Sequence, residues 1–122
     1  MKYAFALLAA LLCMIAHPMT VLASHPKPPH GFWTGKIVDV KPKAITLSVI
    51  ETWEYGSLGK KDSGTVSFKP AAPGFTIAEK TVANQDLSKH FKAGQTVTLR
   101  WQGEEAHTKR IFWDISREAP RP

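Results

Sequence analysis

Between residues 32 and 117 apolar and polar side chains alternate with a period of two in one segment after another, and turn residues separate the segments. That period belongs to a strand with one buried face. Over residues 44–55, Ile45, Leu47, Val49, Trp53 and Tyr55 share one parity, whereas Thr46, Ser48, Thr52 and Glu54 share the other. Residues 95–102 repeat the pattern, with Val97, Leu99 and Trp101 set against Thr96, Thr98 and Arg100. Residues 32–40 predict a strand before these, in which Gly35 marks a bend or a close backbone approach. Lys41-Pro42-Lys43 predicts a turn, because proline presets its own φ and removes a donor. A polar loop over 56–64 leads to a returning strand at 65–69, and a turn at 70–74 leads to another strand at 75–82. A turn at 103–106 then precedes a closing strand over 107–117, with Ile111, Trp113 and Ile115 in register. Parity points Trp101 and Trp113 inward.

One helical stretch is expected, over 87–92. Asp86 can cap it, Leu87 and Phe91 fall on one face, and Gly94 stands where a left-handed residue ends a helix. Several short strands, a long second strand and a short helix before the penultimate strand predict an all-β fold. The expected form is a small OB-like closed barrel of five to six strands over residues 32–117. Closure would remove the sheet edges that invite aggregation.

The two ends of the chain differ from this region. Lys2 precedes an uncharged run over 3–16 that is shorter than the roughly 20 residues a bilayer needs. Val21-Leu22-Ala23 then offers a cleavage site, so residues 1–23 are expected to be a signal peptide. Removing it leaves 99 of 122 residues and lowers the net charge from +6 to +5, because Lys2 goes with it. Three prolines in residues 24–31 predict an extended arm, and 118–122 a similar tail. Cys13, Met1, Met14 and Met19 all lie within the signal, so the remainder has no sulfur atom and forms no disulfide. A small exported domain without disulfides fits a bacterial periplasmic or secreted protein with no membrane anchor after cleavage. So short a chain also excludes large multidomain enzymes.

The segments Gly35-Lys-Ile-Val-Asp-Val40, Ala44-Ile-Thr-Leu47, Gly64-Thr-Val-Ser-Phe68 and Gly94-Gln-Thr-Val97, with Leu87, resemble the small periplasmic copper-chaperone family of OB-fold barrels, the CusF-like proteins. The resemblance implies the fold and the compartment. In that family two methionines on the third strand and a histidine on the second hold Cu(I) beneath a tryptophan lid. Here Gly64 and Val66 take the methionine positions, Ser48 or Val49 takes the histidine position, and Trp53 is the counterpart of the lid. The family's metal site is therefore not carried over, since Cu(I) ligation of that kind needs soft sulfur.

Basic residues interleaved with aromatic ones are the remaining signal. Lys36, Lys41, Lys43, Trp53, Tyr55, Lys60, Lys61 and Lys69 are the expected ligand-binding residues, with the Lys60-Lys61 loop beside Trp53 and Tyr55 foremost. OB barrels bind chain-like ligands on such faces through aromatic platforms and cationic grooves. The expected partner is an anionic envelope component or a protein, and nucleic acid is not expected in that compartment. No nucleophile elbow or facing carboxylate pair predicts catalysis. The expected function is thus that of an exported, non-enzymatic binding or accessory protein, with no required cofactor. The alternative is copper binding through His25 and His30 on the arm, with His90 and His107 read as surface residues.

Overall fold

The computed structural model describes residues 27–56 and 62–117. The expected signal peptide, His25 and the start of the arm, Lys60, Lys61 and the tail all lie outside these residues. In chain order the elements are β1 (His30–Lys41), β2 (Ala44–Tyr55), β3 (Gly64–Pro70), β4 (Thr76–Ile77) and β5 (Lys80–Thr81). A short 3-10 helix (Leu87–Lys89), β6 (Thr96–Gln102), α1 (Glu104–Lys109), β7 (Ile111–Phe112) and β8 (Asp114–Ser116) follow. The fold is mostly β, as the alternation predicts. β1 already begins at His30, inside the expected arm. None of the described helices is long and apolar enough to cross a membrane.

All eight strands join one mixed sheet in the order β5-β4-β8-β6-β1-β2-β3-β7. The hydrogen-bonded ladder ends at β5 and β7, so pairing does not close it into the expected barrel. Residues 111–116 nevertheless serve both halves. β7 runs parallel to β3, and after Trp113 β8 pairs with β6 and β4. One face of the sheet carries a continuous core that includes Trp33, Ile45, Leu47, Phe68, Leu99 and Ile115. The 3-10 helix adds Leu87, and Phe91 follows it into the same core. Asp86 caps this helix as the sequence suggests, accepting from the Ser88 amide at 2.9 Å, and Gly94 is left-handed at φ 95°.

Two bulges set which residues face that core. Thr34 pairs with Glu51 but Gly35 with Val49, which leaves Ile50 as an extra residue on β2. Ile37 pairs with Leu47 but Asp39 with Thr46, which leaves Val38 as an extra residue on β1. Both extra side chains are exposed. Each bulge exchanges the two faces of its strand for every residue beyond it. Val40 therefore packs on the core although Ile37 does so from the other parity.

Residues 75–82, expected as one strand, form the β4–β5 hairpin instead. Ala78 and Glu79 are both left-handed, at φ 50° and 66°, the backbone of a two-residue hairpin turn normally given to Asn or Gly. The buried Asp114 carboxylate holds the turn, with Oδ1 accepting from the Glu79 amide at 2.7 Å and from Thr76 Oγ1 at 2.5 Å. The other correction is α1, where sequence reading had a turn and the start of a strand. Glu104 and Glu105 suit its positive end, and Lys109 reaches Glu105 at 2.7 Å. That pairing lowers the Glu105 carboxyl and raises the Lys109 ammonium from their ordinary values. Arg110, left-handed at φ 57°, ends the helix and restarts the strand. As a result Phe112 and Ile115 are buried, whereas Trp113, expected inside, is 37% exposed.

Candidate functional site

Beyond the Ile50 bulge, Trp53 and Tyr55 turn to the outer side of the sheet, opposite the core. They meet the outward residues of β1 there, since Phe32 pairs with Trp53 and His30 with Tyr55. The rings form a strip. His30 stacks on Tyr55 at 5.1 Å, Phe32 stacks on Trp53 at 5.9 Å, and His30 also lies 5.9 Å from Trp53. Tyr55, 47% exposed, and the half-buried His30 and Trp53 offer flat ring area at little cost in side-chain entropy, whereas Phe32 is buried. On the other flank of β1, Phe32 pairs with Arg100 and His30 with Gln102.

A groove of about 390 Å³ opens on this flank, with Lys27, His30, Arg100, Gln102, Trp101 and Trp113 in its lining. Its charged lining residues are all basic, and no acidic side chain lines it among the described residues. Arg100 reaches Glu79 through Nη1 at 2.7 Å. A guanidinium has five N–H donors in a fixed fork, so this contact leaves others to a ligand. The Pro28 carbonyl accepts from His30 Nδ1 at 3.1 Å, which leaves the Nε2 lone pair of the neutral ring.

On the inner side of the same strands a second imidazole is enclosed. His107 of α1 packs against Trp101 at 4.5 Å and Trp33 at 5.8 Å, with its side chain only 10% exposed. The surface assignment from sequence is therefore overturned, because the unexpected α1 carries His107 over the core. Its Nε2 stands 3.9 Å from Glu54, beyond hydrogen-bond range. The neighbouring Asp62 accepts from Arg110 Nε at 3.1 Å and Nη2 at 2.9 Å. The space between these groups is about 10 Å³, roughly one water. His90, by contrast, donates from Nε2 to the Asn84 carbonyl at 2.6 Å.

The expected binding residues are not gathered in one place. Lys41 and Lys43 flank the β1–β2 turn, and Trp53 and Tyr55 lie at the opposite end of that ladder, about 30 Å away at strand rise. Lys43 Nζ donates to the Gln85 carbonyl at 3.1 Å. Lys36 sits midway, paired with Ser48 and Thr96, and Lys69 lies on β3 beside β7. Lys27, Arg100, Gln102 and Trp113, which line the groove, were missing from the expected set. The outward parity of Arg100 and Gln102 on β6 was the sequence signal that could have found two of them. No group of three or more His, Cys, Asp or Glu is placed to hold a metal among the described residues. Comparison with protein-family profiles, curated proteins and solved structures finds no match.

Proposed function

We propose that the chain is an exported, non-enzymatic binding protein of the bacterial envelope, an OB-like barrel whose outer groove takes an anionic ligand. The observation that carries this reading is the groove itself, with Lys27, His30 and Arg100 beside the exposed Trp113 indole and no acidic lining residue among those described. The two cations Lys27 and Arg100 in a concave site concentrate an anion, and the Trp113 ring covers its apolar parts. Retention on a sulfated polysaccharide column at increasing salt tests the proposal. Elution of Lys27→Ala with Arg100→Gln at clearly lower salt than the parent supports it. Equal elution, or retention insensitive to salt, overturns it.

A second reading, copper binding through His25 and His30, rests on the His30 Nε2 left by the Pro28 contact. Outward hydrogen bonding of one ring nitrogen is how protein ligands orient the other toward a metal. Titration with Cu(II) supports this reading if tight binding disappears in His30→Ala, and overturns it if binding is unchanged.

A further inference from the structure

Trp113 is a shared wall. On one side it lines the cationic groove, and on the other a hollow of about 280 Å³ lined by Ala71, Gln102, Ala106 and Ile111. Gln102 also borders both spaces, so they adjoin along one edge of the molecule. Their chemistry differs sharply. Three of the lining residues in the first are basic, whereas the hollow has one amide and is otherwise apolar. Trp113 reaches its place because the left-handed Arg110 breaks the inward parity of the strand, leaving the indole 37% exposed between α1 and β6. A buried tryptophan would leave no divider there.

We infer that the ligand is an amphiphilic anion taken one molecule at a time, with its charged head at Arg100, Lys27 and His30 and its apolar tail crossing Trp113 into the Ala71–Ala106–Ile111 hollow. This rests on the groove reading proposed above and adds the second compartment and the tail. Charge complementarity places the head, since among the described residues cationic side chains line the larger space and not the hollow. The tail follows from the hollow, which rewards apolar surface and in which Gln102 is the polar side chain among the described lining residues. Two adjoining spaces of opposite chemistry on either side of one indole suit a single molecule that is charged at one end and apolar at the other.

Calorimetry with ethyl phosphate, octyl phosphate below its micelle threshold and octyltrimethylammonium tests the inference. Each methylene buried is worth about fourfold in affinity, so burial in the hollow of about three of the six methylenes that distinguish octyl from ethyl phosphate is expected to tighten binding about fiftyfold. Ala106→Phe, which fills the hollow, is expected to remove that gain and leave ethyl phosphate binding intact. Should that variant not fold, Ala71→Leu narrows the hollow from its other side. Equal affinity for the two phosphates overturns the amphiphile inference and leaves the anion groove standing. Equal binding of the octyl cation overturns the assigned head. A chain-length gain that survives both hollow-filling variants overturns the assigned tail. Sedimentation with anionic phospholipid vesicles, without any binding of octyl phosphate, makes the partner a membrane surface and overturns the single-molecule form. If neither phosphate nor vesicles nor the polysaccharide column is bound, this inference and the groove reading fall together.

Discussion

The start of β1 carries an imidazole among aromatic rings on each of its faces, and the two clusters behave as opposites. Inside, His107 is pressed against Trp33 and Trp101 and has about a water's volume beside it. Outside, His30 stacks on Tyr55 and borders a groove of about 390 Å³. Residue types are similar in the two places, so composition does not decide which is structural and which is available. Access decides it, and access is set by the bulge at Ile50, beyond which Tyr55 stands 47% exposed beside His30 while Thr52 and Glu54 border the inner space and Trp53 lies at its edge.

The largest break in this comparison is expected from Trp33→Ala. Trp33 is 1% exposed and touches Phe68, Trp101 and His107, so truncation should cost about 3–5 kcal/mol in denaturant unfolding. A loss under 1 kcal/mol would mean that the inner cluster is not core. Next comes Gly31→Ala, whose Cβ would stand 2.0 Å from the Trp53 carbonyl oxygen. Since that oxygen belongs to the ladder, strand β1 or β2 must shift, at roughly 2–3 kcal/mol by the same measurement. Gly31 also lines the groove, so this variant is expected to disturb ligand binding as well as stability. Tyr55→Ala, at a side chain 47% exposed, should change stability by no more than about 0.5 kcal/mol while weakening octyl phosphate binding only slightly, by freeing the His30 ring that stacks on it. Destabilisation as large as that of Trp33→Ala would remove the distinction between the faces.

The smallest effect is expected far from both clusters, at Asp86. Its hydrogen bonds from the Ser88 hydroxyl and amide hold the carboxyl below its ordinary value. The resulting stabilisation is present above the unfolded carboxyl's pKa and is lost as pH falls through the lower folded one. Asp86→Asn should therefore flatten only the acid limb of the stability profile, and curves for the two chains should converge at the lowest pH. Parallel curves throughout would show that the charge of this cap contributes nothing.

Regular alternation made much of the sheet legible. β2 runs from Ala44 to Tyr55 as expected, β6 presents Val97, Leu99 and Trp101 to the core, and Asp86 with Gly94 frames the short helix turn. The misreadings share a physical origin, which is that parity holds only while each residue advances the strand by one position. Ile50 and Val38 insert a residue, Ala78 and Glu79 reverse the chain, and α1 with Arg110 resets the phase before Trp113. None of these carries a strong local signature, because Ala-Glu is not a usual hairpin pair and α1 is barely two turns. The candidate groove was harder to read than the fold. It joins Lys27, β1, β6 and Trp113, and only the ladder register brings them together.

Residues 111–116 have a consequence for the order in which the fold is made. β7 and β8 follow every other described strand, yet they pair with β3, β4 and β6. A nascent chain still lacking residue 111 can form the β1–β2–β3 meander and add β6, but three of its strands, β3, β4 and β6, wait for partners not yet synthesised. Long-range parallel contacts of this kind form slowly and only after large loops have closed. Completion of the domain therefore waits until residues 111–116 have been made, and Trp113 arrives only then, installing the wall of the groove in the same step that joins the sheet.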